Sequence, residues 1–143
     1  MKTKIVLFIT TSLLALTNYS QTTNDYDKIK TTLNYYLEGG TNNDFNLLKK
    51  AFHENATMSY INDDKYVEVN AINFFKKVIK PGPKQNRTTK IDYINVSGKV
   101  ANAKITITYK SLVLVDYLNL IKINNAEWKI VNKVYDRFPK NKN

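Results

Sequence analysis

The chain has 143 residues, 43% of them hydrophobic and 12% aromatic, which is the size and apolar content of one domain with its own core. Its formal charge is +10, yet only Arg87 and Arg137 are arginines, and the lysines are scattered singly among acids such as Glu38, Asp44 and Glu68. That distribution argues against a nucleic-acid surface, and the lack of cysteine with a single histidine excludes disulfides, a lipid-modified cysteine and any multi-histidine metal site.

At the N-terminus Lys2 and Lys4 precede an uncharged apolar run from Ile5 to Leu16 that decays into Thr17, Asn18, Tyr19 and Ser20. A basic start followed by about a dozen apolar residues predicts a secretory signal peptide rather than a spanning helix, which needs roughly 20. We place it over residues 1–20, with cleavage after Ser20 and a mature domain over 21–143. Its removal takes away two lysines and no acid, lowering the charge from +10 to +8. The expected product has no stable membrane anchor and is periplasmic or secreted, and its lysine- and asparagine-rich composition points to a bacterium.

From Asp25 to Glu38 the apolar positions Ile29, Leu33, Tyr36 and Leu37 recur at helical spacing, with Asp25 as a cap and Gly39 and Gly40 as the stop. Asp44 is an N-cap candidate for a second short helix that buries Phe45, Leu48 and Phe52 and stops near His53 and Asn55. Thr57–Ile61 and Tyr66–Val69 flank the polar turn Asn62, Asp63 and Asp64, a predicted hairpin. Asn70 caps a third helix with the face Ile72, Phe75, Val78 and Ile79, closed by Pro81, Gly82 and Pro83.

The second half reads as four strands in meander order. The first runs around Ile91–Val96 and turns at Ser97 and Gly98, and the next alternates Ala101, Ala103, Ile105, Ile107 and Tyr109 with polar residues. Leu112–Ile123 and Trp128–Tyr135 follow, separated by Asn124 and Asn125. The predicted fold class is therefore α+β, with three helices packed on a curved antiparallel sheet of about five to six strands.

This order resembles the nuclear transport factor 2 (NTF2)-like superfamily, which includes the SnoaL-like proteins, and several stretches resemble its exported bacterial branch, the putative lumazine-binding family. They are Tyr36 and Leu37 in the first helix, Leu48 to His53, Asp116-Tyr117-Leu118 with Leu120, and Glu127 to Lys133. The resemblance covers about residues 26–137. It departs at the turn before Trp128, where the family usually has glycine and this chain has Asn124, Asn125 and Ala126. Asparagine tolerates the same positive φ. The resemblance implies a conical half-barrel whose wide end is closed by helices. Relatives use the enclosed pocket for steroids, polyketides or peptide partners, and frequently pair as homodimers across the outer sheet face.

No nucleophile elbow, phosphate loop or metal spacing is present, and no cofactor is expected. Two side chains are candidates for proton transfer. Histidine is the ordinary side chain for acid–base work at neutral pH, and His53 either lines the pocket or satisfies a helix end. Asp116 interrupts an apolar run, where a carboxylate needs a partner; its parity with Leu118, Leu120 and Lys122 points it to the outer face, in a structural or dimer-contact role, unless a bulge intervenes. Taking Lys129 and Lys133 as the wet face of the last strand turns Trp128 and Asn132 inward. The same logic turns Tyr117, Asn119 and Tyr109 inward, so these five are the candidate ligand contacts.

Three functions follow as expectations. The first is an exported binding module for a small, partly aromatic molecule. The second is a lyase or isomerase of the SnoaL or ketosteroid isomerase kind using His53 or Asp116, and the third is a non-catalytic dimeric scaffold with a filled core. The basic stretch from Lys76 through Arg87 to Lys90 reads as a solvated face.

Overall fold

The computed structural model describes residues 24–124 and 127–140, and the expected signal peptide lies outside them. Helix α1 occupies residues 24–41, running three residues past its expected last residue, Glu38. Gly39 and Gly40 are therefore helical, and close approach explains them better than termination. A Cβ on Gly39 would lie 2.4 Å from the Leu48 backbone nitrogen, and one on Gly40 would lie 2.4 Å from the Arg87 guanidinium. Asn43, with φ of 55°, then turns the chain, and Asp44 caps α2 (Phe45–Lys49) by accepting from Leu47 N at 2.9 Å.

Helix α2 is shorter than its apolar stripe suggests. Strand β1 (Phe52–Asn62) begins at Phe52, so Phe52 and His53 belong to a strand and not to a helix end. The hairpin to β2 (Lys65–Asn70) turns at Asp63 and Asp64, both with positive φ. Asn70 caps α3 (Ala71–Val78), accepting from Asn73 N at 2.9 Å. Strands β3 (Arg87–Ser97), β4 (Val100–Tyr109), β5 (Leu112–Ile123) and β6 (Glu127–Pro139) form the expected meander. Gly98 occupies the left-handed position of the β3–β4 turn with φ of 59°, and Asn124, after β5, reaches φ of 48°.

Among the described residues, six strands join one sheet in the order β2-β1-β6-β5-β4-β3. It is mixed and not wholly antiparallel, because β1 runs parallel to β6, pairing Met58 with Lys133 and Ser59 with Val134. Among the described residues α1 and α2 precede the sheet, and α3 follows the first hairpin rather than standing with them at the N-terminal end. Helix α1 lies on one face of the sheet, burying Ile29, Leu33 and Tyr36 against Ile105, Leu118 and Ile130. Thr32 Oγ1 donates to the Trp128 carbonyl at 3.0 Å and fixes the helix over β6.

Register shifts interrupt β1 between Phe52 and Thr57, β3 between Ile91 and Tyr93, and β6 where Val131 is the extra residue opposite Asn119 and Leu120. Each bulge bends its strand. The bulge in β6 also reverses parity, because Trp128 and Ile130 face the helices before it, and Lys133 faces them after it.

Candidate functional site

The covered face of the sheet carries a buried ionic cluster. Asp116 is 0% exposed and Lys133 3% exposed, and Lys133 Nζ donates to Asp116 Oδ1. Tyr36 Oη on α1 donates to Asp116 Oδ2 at 2.8 Å, so both carboxylate oxygens are engaged. This corrects two expectations. Asp116 faces the core, because Leu118, Leu120 and Lys122 share the inner face with it, and Lys133 is not on the wet face.

Lys122 was the misleading residue. It reaches the N-terminal end of α1, where it pairs with Asp25 at 2.8 Å with only 10% of its side chain exposed. Trp128 Nε1 donates to the same carboxylate at 3.2 Å. Burial works to raise the Asp25 carboxyl, but the hydrogen bonds from Lys122 and Trp128, with the Lys122 charge, outweigh it and hold the group below the ordinary 3.8.

The charge pair adjoins a cavity of about 390 Å³ between α1, α3 and the inner sheet face. Phe74, Phe75, Ile107 and Leu114 supply apolar wall, and Lys133 forms part of the lining. Tyr36, Phe52 and Phe75 pack with ring centroids 5.3–5.7 Å apart and close one side. Burial pulls the Lys133 ammonium below the usual lysine range against the opposing pull of Asp116. Burial, and then the Asp116 charge, push the Tyr36 phenol well above its ordinary value. The ammonium also sits 4.1 Å from the centre of the Tyr135 ring, a cation–π contact.

A second polar group hangs on Arg87, the first residue of β3. Its Nε donates to Thr41 Oγ1 at 2.9 Å, its Nη2 to the Leu37 carbonyl at 3.1 Å and its Nη1 to Tyr109 Oη at 2.7 Å. Tyr109 Oη donates onward to Gln85 Oε1 at 3.0 Å, and Gln85 Nε2 to Asn43 Oδ1 at 2.9 Å. The stretch expected to be a solvated basic face thus contributes Gln85 and Arg87 to the cavity. Arg137 lies at the other end, its guanidinium 5.6 Å from the Tyr60 and Tyr135 ring centres.

Of the five expected ligand contacts, Tyr109 alone lines this cavity. Trp128 points inward as expected but is 2% exposed and committed to Asp25. Tyr117 is 47% exposed on the opposite face, and Asn119 shares that face. Asn132 also turns outward, because the Val131 bulge intervenes. Asn119 and Asn132 instead belong to a cross-strand row on the outer face. Asn102 Nδ2 donates to Asn119 Oδ1 at 3.0 Å, Asn119 Nδ2 to Asn132 Oδ1 at 3.3 Å, and Asn132 Nδ2 to Thr57 Oγ1 at 3.0 Å. His53, half-buried at the irregular start of β1, accepts from Asn55 N at 3.2 Å and is not part of the cavity wall.

Sequence reasoning missed Tyr36, Arg87 and Lys133 as pocket groups. One signal was available: a carboxylate inside Leu112–Ile121 requires a buried cation, and Lys133 lies near it once the last two strands pair. A bulge was needed to see it.

The outer face carries a wider groove of about 580 Å³, bordered by Tyr66, Tyr117, Val134 and Phe138 with Lys104 and Asp136. A third hollow of about 530 Å³ lies at the β3–β4 turn end of the sheet and includes Asn119. Among the described residues, no helix is long and apolar enough to cross a membrane, and no group of three His, Cys, Asp or Glu side chains is placed to hold a metal ion.

Residues 24–136 match the family described as putative lumazine-binding. Among solved structures, the chain is similar to an NTF2-like protein of unknown function from Shewanella baltica OS155. Identity is 25% and the TM-score 0.74, over 81% of this chain and 95% of that one. An NTF2-like protein of unknown function from Methylobacillus flagellatus KT is 28% identical with a TM-score of 0.70, over 80% and 92%. A ketosteroid isomerase-like protein from Erwinia carotovora atroseptica shares the fold at 11% identity and a TM-score of 0.59, over 77% and 93%. A search of curated proteins gave no match.

Proposed function

Since the chain belongs to the putative lumazine-binding family, we propose that it is a binding protein that holds a small, partly aromatic molecule in the cavity between α1, α3 and the sheet. The observation that carries this reading is an apolar cavity of about 390 Å³ with a few fixed polar groups, Arg87, Tyr109 and Gln85, converging on one end. Volume and lining both suit a ligand pocket. The alternative of proton transfer by Asp116 or His53 has less support. Both Asp116 oxygens are taken by Lys133 and Tyr36, and His53 stands outside the cavity wall.

The further parts of the reading are export and pairing. The basic-then-apolar segment over residues 1–20 supports removal of a signal peptide and action in the periplasm or outside the cell. The outer groove supports a homodimer: Ile61, Tyr66, Val134 and Phe138 are 46–66% exposed there. Lys104 and Asp136 border the same groove, so a two-fold related copy can present opposite charges to each.

Native mass spectrometry of protein purified from its own cell envelope tests these together. The expected spectrum is a dimer starting near Gln21 and carrying an adduct of a few hundred daltons. Leu114→Trp, which fills the cavity, should lose the adduct, Tyr117→Ala should keep it, and Val134→Glu should yield monomer. An adduct retained by Leu114→Trp would remove the pocket reading.

A further inference from the structure

Resting on that pocket reading, we infer that the ligand is an anion, a flat apolar body bearing a carboxylate or similar acidic group, and that Arg87 is its anchor.

The inference comes from charge that the protein leaves uncompensated. Arg87, Lys133 and Arg137 all contribute to the cavity wall. Among the described residues, Asp116 is the carboxylate paired with any of them, and it is bound to Lys133. Neither arginine has a carboxylate within salt-bridge distance among the described residues. Arg137 is exposed and solvated, whereas Arg87 is half-buried on the wall of an apolar cavity, where desolvation makes an unpaired cation costly.

Arg87 has a structural task that accounts for part of its charge. Its Nε and Nη2 face the C-terminal end of α1 through Thr41 and the Leu37 carbonyl, and a helix C-terminus carries about half a negative charge. The Nη1 side is different, because its hydrogen-bond partner among the described residues is the hydroxyl of Tyr109. A guanidinium has five N–H donors, and these bonds use three of them, leaving two for a ligand. Gly40 allows the guanidinium to lie directly against α1, since a Cβ there would be 2.4 Å from Nη2. The group is thus held rigidly by several elements, as an anion anchor requires. Phe74, Ile107 and Leu114 supply the apolar surface for the rest of the ligand.

The test uses an isosteric pair, 2-naphthoate and 2-naphthamide, titrated calorimetrically into the wild-type protein and into Arg87→Gln. The wild type is expected to bind the carboxylate at least about tenfold more tightly than the amide, as a charge-assisted pair requires. Arg87→Gln should bring the two to parity, with the carboxylate losing at least about tenfold more affinity than the amide. Should that variant not fold, the wild type alone decides. Raising sodium chloride should weaken naphthoate binding and leave naphthamide unchanged. Equal affinities or equal salt responses would overturn the anion assignment and leave the pocket reading standing. Absence of binding by either compound would overturn both.

Discussion

Asp116 shows how one residue can be costly alone and stable in company. A buried carboxylate without a partner would be expelled or neutralised, and here Lys133 and Tyr36 engage both of its oxygens. Replacing Asp116 by Asn leaves the buried Lys133 amine without its carboxylate and should cost about 3–5 kcal/mol in urea unfolding. Joint replacement of Asp116 by Leu, Lys133 by Met and Tyr36 by Phe should recover most of that loss, and a triple variant as unstable as the single one would contradict this reading. At the opposite end of α1, Asp25 is held below 3.8 by Lys122 and Trp128. A lowered folded value means that the unfolded chain binds the proton more readily, so this contribution is full above pH 4 and is lost as pH falls through the folded value. Asp25→Asn should be less stable than wild type at pH 6, with the difference shrinking below pH 4, as followed by thermal melts.

Among the elements, alternation and caps were legible where the chain is regular. Asp44 and Asn70 cap the helices expected of them, and β4 buries Ala101, Ala103, Ile105 and Ile107 as its pattern says. Parity failed in the last two strands for a physical reason. Val131 is an extra residue with no partner in β5, and one inserted residue turns every later side chain to the other face. Nothing in Ile130-Val131-Asn132 announces a bulge. Lys122 added to the error, since a lysine at a strand end reads as solvent-facing unless the distant Asp25 is known to meet it. Gly39 and Gly40 looked like a helix stop but are contact points. Gly39→Ala forces a Cβ against the Leu48 backbone and should cost about 1–3 kcal/mol. Gly82→Ala, with its nearest neighbours at 3.8 Å, should stay within about 0.5 kcal/mol of wild type.

For the whole molecule, the family and the α+β architecture were legible because several local stretches and the order of elements agree. The parallel pairing of β1 with β6 was not, since it joins segments 75 residues apart, such as Thr57 and Asn132, that carry no local mark of each other. The cavity wall followed the same division. Alternation on a regular strand turned Tyr109 toward it, whereas the places of Arg87 and Lys133 depend on a loop latched to α1 and on the bulge. The two sheet faces end with different characters: the inner one holds a polar-tipped cavity with excess positive charge, and the outer one a broad exposed apolar groove.

Methyl NMR tests that division most directly. The protein would be labelled at Met, Ile, Leu and Val methyls and titrated with 2-naphthoate. We expect shifts at Met58, Ile107 and Leu114, which line the inner cavity, with Ile61, Val115 and Val134 of the outer groove unmoved. Shifts confined to the outer three would contradict the assignment of the ligand site to the inner cavity.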